Sequence, residues 1–175
     1  MNFAAGQYTI IDDSGFLAII DPYKYNSFVD EDWSFLELKE RFVSEMQKNS
    51  LIIWSTGMEG TWNVQIITKS LVEKSFRQFE KAIQVTNKRL VLTNYEYLTE
   101  AAQFKDFDFA VNYDRELCIE IENGLYLALI RQLADTEDLN EALTDGQIQY
   151  EIILSPIAES DGVKEDIKDI IWLES

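Results

Sequence analysis

The sequence predicts an α+β protein made of two related antiparallel β units, a degenerate internal duplication, with inserted helices and one shared core. Three observations carry that prediction. Short apolar runs with the period of a strand flank glycine-containing turns, one stretch after Ser34 switches to helical spacing, and the strand rhythm begins again near Ile83. With 46% apolar and 13% aromatic residues, the 175-residue chain can bury a substantial core and does not have the composition of an acidic disordered segment. No linker rich in Pro, Gly or Ser interrupts it. The expectation is therefore a single domain over 1–175, with pseudo-repeat lobes of approximately 1–82 and 83–158 and a C-terminal segment, 159–175, docking on the body.

The first segment reads as a hairpin, because Tyr8 to Ile11 and Phe16 to Ile20 flank Asp12-Asp13-Ser14-Gly15, and Asp21-Pro22 stops the second strand. From Asp32 or Ser34 to about Asn49, Phe35, Leu38, Phe42 and Met46 recur with helical spacing, with Leu36 and Val43 beside them and Glu37, Lys39, Glu40, Arg41 and Glu45 assigned to solvent. Leu51 to Trp54 and the alternating Trp62, Val64 and Ile66 are two strands around Gly57-Met58-Glu59-Gly60. Leu71 to Lys81 reads as a short helix carrying Leu71, Phe76 and Phe79.

The second unit opens with Ile83 to Thr86, a turn at Asn87-Lys88, and Arg89 to Thr93, followed by Tyr95 and Tyr97 as Ile20 is followed by Tyr23 and Tyr25. Gly124 to Ile130 repeats the form of Gly60 to Ile66, each placing glycine two residues before an aromatic that opens an alternating strand. Thr136 to Leu143 is an acidic helical stretch closed by Asp145-Gly146, and Ile148, Tyr150, Ile152 and Leu154 form a further strand. The tail, with Val163, Ile167, Ile170, Ile171, Trp172 and Leu173, is too apolar to hang free.

Charge constrains function more than any motif does. The chain carries 32 acidic and 15 basic residues, no histidine, and a formal net charge of −17. Residues 1 to 87 hold 12 acids and 8 bases (net −4), and residues 88 to 175 hold 20 and 7 (net −13). Such a field repels phosphate backbones and anionic lipid and attracts basic surfaces, so direct nucleic-acid and membrane binding are disfavoured. Met1 to Gly6 has neither a basic n-region nor an apolar h-region, and the expected location is cytoplasmic. Without histidine, a Ser-His-Asp arrangement and a Cys/His zinc site are impossible, and the lone Cys118, in a strand-like run, reads as a buried inert thiol.

Paired carboxylates are what remains for catalysis: Asp12-Asp13, Asp30-Glu31-Asp32, Asp106/Asp108 and Glu120/Glu122. None has a specific spacing, and each also reads as ordinary solvated surface, with Asp12-Asp13 in a turn and Asp30 to Asp32 at a helix start. Phosphate-loop, dinucleotide, nucleophile-elbow and calcium-loop patterns are absent, and Ser70/Lys74 is the nearest thing to a Ser-Lys pair. No cofactor or metal is expected.

Phe104, Phe107, Phe109 and Tyr113 interleave with Asp106, Asp108 and Asp114 in a segment without helical period. That pattern suits an interface for a basic protein surface, rings giving desolvated anchors and carboxylates pairing with Lys or Arg; it equally suits an irregular connection whose rings fill core gaps. Trp33, Tyr23, Tyr25 and Phe28 form a comparable insert in the first unit, whereas Trp54 and Trp62 read as core.

With the Asp21-Pro22 break, the glycine turn between Trp54 and Trp62, and the second copy around Arg89 to Tyr97, the layout resembles small acidic bacterial immunity proteins of polymorphic toxin systems. The resemblance implies a non-enzymatic protein that binds a cognate toxin and blocks it. The expected function is accordingly an immunity or inhibitor protein, monomer or homodimer, neutralising a basic toxin or effector. Its expected contacts are Phe104, Asp106, Phe107, Asp108, Phe109 and Asp114, with Asp135, Glu137, Asp138, Glu141 and Asp145 from the next acid-rich stretch. The alternative is a domain binding a small molecule or cation in a pocket between the two β units, lined by Tyr23, Tyr95 and Trp62. A carboxylate-dependent hydrolase would need two of the acidic clusters to converge on one cleft.

Overall fold

Two kinds of apolar pattern in this sequence correspond to two kinds of sheet. The computed structural model describes residues 5–70, 72–135, 146–161 and 166–174. Strands β1 (Gly6–Asp12), β4 (Gly60–Ile67), β5 (Arg77–Val85), β8 (Gly124–Gln132) and β9 (Tyr150–Ile157) form a five-stranded sheet in the order β1-β4-β9-β8-β5. Strands β2 (Phe16–Ile20), β3 (Leu51–Ser55), β6 (Arg89–Asn94) and β7 (Cys118–Glu120) form a four-stranded sheet in the order β3-β2-β6-β7. Helices α1 (Phe35–Gln47) and α2 (Tyr95–Gln103) pack on the outer face of the smaller sheet. The α+β class stands.

The smaller sheet is covered on both faces, so its strands are unbroken apolar runs. Leu17, Ile19, Ile52, Trp54, Leu90 and Leu92 face the larger sheet, while Ala18, Ile20, Leu51, Ile53 and Val91 face the helices. The larger sheet buries one face, hence the alternation of Trp62, Val64 and Ile66, of Tyr126, Ala128 and Ile130, and of Tyr150, Ile152 and Leu154. One apolar cluster between the sheets draws on every strand of both.

The path through the sandwich occurs twice. β1 crosses to β2 in the other sheet, α1 intervenes, β3 pairs with β2, and β4 returns to pair with β1. In the same manner β5 crosses to β6, α2 intervenes, β7 pairs with β6, and β8 returns to pair with β5. β2 and β6 meet antiparallel at the centre of the small sheet, and β9 fills the gap between β4 and β8 in the large one. The strand matches read from rhythm, Leu17 to Ile20 with Arg89 to Thr93 and Gly60 to Ile66 with Gly124 to Ile130, fall on corresponding elements.

Several expectations are corrected. β1 and β2 are not a hairpin: they lie in different sheets, and so do β5 and β6. A short turn that steps across a sandwich has the same sequence appearance as one that reverses within a sheet. Pairing inside each unit is antiparallel, and the one parallel pair among the described strands, β4 with β9, joins the first unit to the strand that follows the second. Residues 77 to 85 are strand rather than the end of a helix over Leu71 to Lys81, paired along their length with β8; Leu71 itself lies outside the described residues. The inward row Phe79, Lys81, Ile83 and Val85 has period two, but a lysine at its second position hides it; Lys81 is buried and donates to Asn49 Oδ1 at 2.8 Å. Glu45, assigned to solvent, is buried where α1 meets β3, accepting from Ser50 Oγ at 2.5 Å and Asn26 N at 3.2 Å. The acidic stretch Thr136 to Leu143 lies outside the described residues.

Helix α1 begins with a capping box, Ser34 accepting from Glu37 N while the Glu37 carboxylate accepts from Ser34 N. It ends in Asn49 with φ 61°, a left-handed position asparagine tolerates. Along the edge of β3, Ser55 N donates to Ile171 O at 2.9 Å, so residues 166–174 pack against the sandwich, with Ile170 buried and Lys39 paired to Asp169 at 3.3 Å. Among the described residues no helix is long and apolar enough to cross a membrane.

Candidate protein-interaction surface

The loop after α2 is built from beneath. Asn94 caps the helix by accepting from Tyr97 N at 3.1 Å, and the helix closes where Phe104 N donates to Glu100 O at 3.0 Å. The Asp108 carboxylate accepts from Ala110 N at 2.8 Å and its carbonyl from Asn112 N at 2.8 Å, which makes a tight turn. Asp114 accepts from Glu116 N at 2.9 Å and caps the 3-10 turn Arg115–Leu117 that leads into β7. Inside this frame Phe109, 3% exposed, meets the Tyr25 ring at 5.9 Å and Phe107 at 4.9 Å. The Arg89 guanidinium lies 5.0 Å from the Tyr113 ring.

The loop therefore divides into two sets. Phe107 and Phe109 fill the layer beneath the small sheet and hold the loop in place. Phe104 is 53% exposed and Val111 72%, with Asp106, Asp108 and Asp114 exposed around them. Interleaving in sequence does not separate these roles, since an irregular segment gives no period from which to read direction.

Asp135 stands elsewhere. It lines a cavity of about 440 Å³ with Ser55, Phe76, Arg77 and Trp172. There Arg77 donates from Nε to Gln132 Oε1 at 2.7 Å and from Nη2 to Ser55 O at 3.1 Å, with its guanidinium 4.0 Å from the centre of the Trp172 ring. Burial lowers the pKa of this guanidinium, against the opposing pull of Tyr150, Glu174 and Asp135. The β5 edge of the large sheet lies over β3, and the β1 edge lies over β6 and the turn before β7. Asp135 and the Phe104 to Asp114 loop thus belong to opposite sides of the sandwich. Glu137, Asp138, Glu141 and Asp145 lie outside the described residues.

The acidic pairs named from the sequence fall at different places among the described residues. Asp30, Glu31, Asp32, Glu120 and Glu122 are exposed on separate elements. Asp12, read as part of a solvated turn, is 1% exposed and accepts five hydrogen bonds, from Ser14 N, Gly15 N, Phe16 N, Thr56 Oγ1 and Trp62 Nε1. Asp21 is likewise buried and accepts four, from Tyr23 N, Lys24 N and both Thr86 N and Oγ1, which ties the end of β2 to the turn after β5. Carboxylates so occupied are braces. The signal for them in the sequence was their place directly at strand ends. Ser70 bonds Glu151 Oε1 at 2.7 Å and Arg131 Nη1 at 2.6 Å instead of pairing with Lys74. Among the described residues no three Cys, Asp or Glu side chains are grouped to hold a metal.

Nor do Tyr23, Tyr95 and Trp62 line one pocket. Trp62 is core, ring to ring with Tyr150 at 5.5 Å; Tyr95 packs on Phe16 at 5.3 Å; Tyr23 is exposed near Arg89 at the other end of the strands. Cys118 is half-buried, and burial raises its thiol pKa despite Arg89 nearby.

No family model and no curated protein matches this chain. Two solved structures share its architecture. One, described as "Crocagin biosynthetic gene J", superposes with a TM-score of 0.59 at 13% identity, covering 89% of this chain and 99% of that one. The other is ComJ from Bacillus subtilis, described as an inhibitor of the DNA-degrading activity of NucA; it superposes with a TM-score of 0.54 at 9% identity, covering 90% of this chain and 100% of its own. At such identities the likeness is one of fold: this chain has the same two-sheet architecture as a known nuclease inhibitor.

Proposed function

We propose that the protein is a stoichiometric inhibitor, acting in the cytoplasm, that binds a basic enzyme, a cognate toxin or effector, and blocks it. The observation that carries this reading is the loop after α2, where exposed Phe104 and Val111 stand among exposed carboxylates on a base locked by Phe109. Apolar anchors among carboxylates that outnumber the exposed Lys105 and Arg115 of the same stretch suit a basic protein face. The fold shared with an inhibitor of a DNA-degrading enzyme supports the same reading, as does a net charge of −17, which repels DNA and attracts a protein built to bind it. Phe104, Asp106, Asp108 and Asp114 then make the contacts, with Phe107 and Phe109 acting through the loop's shape.

The test is capture from lysate of the source cell on immobilised protein at roughly 0.05 M and roughly 0.5 M salt, with the retained protein identified and its activity titrated. Retention of a basic enzyme at low salt, with activity abolished at one equivalent, is expected. Retention indifferent to salt, or an enzyme unaffected by excess protein, overturns the reading.

The small-molecule alternative has one observation in its favour, the cavity of about 440 Å³ bounded by Ser55 and Gly57 at the end of β3 and by Phe76 and Arg77 at the start of β5. Its volume is in the range of ligand pockets. Quenching of Trp172 fluorescence by a saturating metabolite fraction would favour it.

A further inference from the structure

The charge counts place the acidic footprint in the second half of the chain, but the fold brings a piece of the first half alongside it. Val29 N and Asp30 N both donate to Ala102 O, at 2.9 and 3.2 Å, so the segment entering α1 lies against the last turn of α2. Phe104 follows that carbonyl by two residues. Tyr25 closes on Phe109 from the same side, and Arg41 of α1 holds the segment by donating to Asn26 O and Phe28 O at 2.9 and 2.7 Å. The two acidic-aromatic inserts, one from each unit, are packed into a single layer.

What they present outward is alike. Asp30, Glu31 and Asp32 are exposed, and the next turn exposes Phe35 and Leu36, the latter to 61%. Phe104 and Asp106 repeat that combination across the seam. Among the described residues, none of these four aspartates and glutamates takes part in an ion pair. Phe35 and Leu36 stay open at the start of the helix while Leu38 and Phe42, further along it, are buried in the core.

We propose that Asp30 to Asp32 with Leu36, together with Phe104 and Asp106, form one composite docking surface for a cationic, amphipathic helix of a partner protein. This rests on the inhibitor reading above and adds the half of the surface that the first unit supplies. The partner's chemistry follows from complementarity: Lys or Arg opposite the carboxylates, and an apolar stripe opposite Phe104 and Leu36.

The probe is a synthetic amphipathic peptide of Lys and Leu arranged with helical period, titrated into the protein and followed by backbone NMR and calorimetry. Amide shifts in residues 30–36 and 104–108 should move together. The Asp30→Lys, Asp32→Lys double variant should weaken binding at least tenfold, and a control pair, Glu159→Lys with Asp161→Lys, should stay within about twofold. Leu36→Ser, an exposed change that leaves folding intact by circular dichroism, should weaken binding severalfold. Shifts confined to 104–114, equal losses in both charge-reversed pairs, or no saturable binding overturn the composite surface. A basic enzyme still captured and inhibited in that case would leave the inhibitor reading standing without it.

Discussion

Tyr25 illustrates how one residue can serve packing at a polar cost. Its ring sits between α1 and Phe109, while its hydroxyl is buried with no hydrogen-bond partner among the described residues. Burial, and then the Glu45 carboxylate, raise its pKa far above the usual 10, with Arg41 opposing. Burial does the same for Tyr150. Tyr25→Phe removes an unsatisfied group without leaving a cavity, so thermal unfolding should show a change between neutral and about +1 kcal/mol of stability. The pH dependence has a definite sign. Above pH 10 the unfolded chain releases these phenol protons and the folded chain keeps them, so stability is intact below pH 10 and falls as pH rises beyond it. The slope is about 1.4 kcal/mol per pH unit for each such tyrosine. Urea midpoints between pH 9 and 11.5 measure it, and Tyr25→Phe should make the fall shallower; a midpoint rising with pH would refute the account.

At the scale of elements, the loop from Phe104 to Asp114 separates two kinds of substitution. Phe109→Ala empties a site enclosed by Tyr25 and Phe107 and should destabilise by about 3 to 4 kcal/mol in chemical denaturation. Phe104→Ala should change stability by less than about 0.5 kcal/mol, as expected for an exposed side chain, and lower affinity for the partner by tenfold or more. Equal effects of the two on stability would contradict the division. This division was not legible in the sequence, because an aperiodic segment gives no face. Other elements were legible: Ser34 with Glu37 marks the start of α1, and Gly60 and Gly124 each open an alternating strand. The strand period of β5 is hidden because Lys81 breaks its apolar alternation, and α2 carries little signal because Tyr95 to Gln103 is short and takes its stability from Leu98, Ala101 and Ala102 against the small sheet. The crossing of turns between sheets was invisible, since pairing partners are a property of three dimensions.

For the whole molecule the dominant quantity is charge. A net −17 on one compact chain stores self-repulsion that dissolved salt relieves. Raising ionic strength from roughly 0.02 to 0.2 M should raise the melting temperature by several degrees while weakening partner binding, two opposite responses from one screening length. A melting temperature that falls over that range would show that internal ion pairs outweigh the repulsion. The half-to-half asymmetry of that charge, −4 against −13, was plain in the sequence. Its spatial meaning was not, since the backbone bonds from Val29 and Asp30 to Ala102 draw first-half acid onto the second-half surface.

The position of β9 bears on how such a molecule comes into being. β1 with β4, and β5 with β8, each complete their own pairings from chain that precedes Tyr150, yet β4 and β8 are joined in the large sheet by the strand that begins there. During synthesis the two paired ribbons wait, each with an open flank, until Tyr150 to Ile157 has emerged from the ribosome. Cooperativity between the halves of the large sheet is therefore acquired only with β9, and a ribosome that stops before Tyr150 leaves two sticky edges in place of one closed sheet.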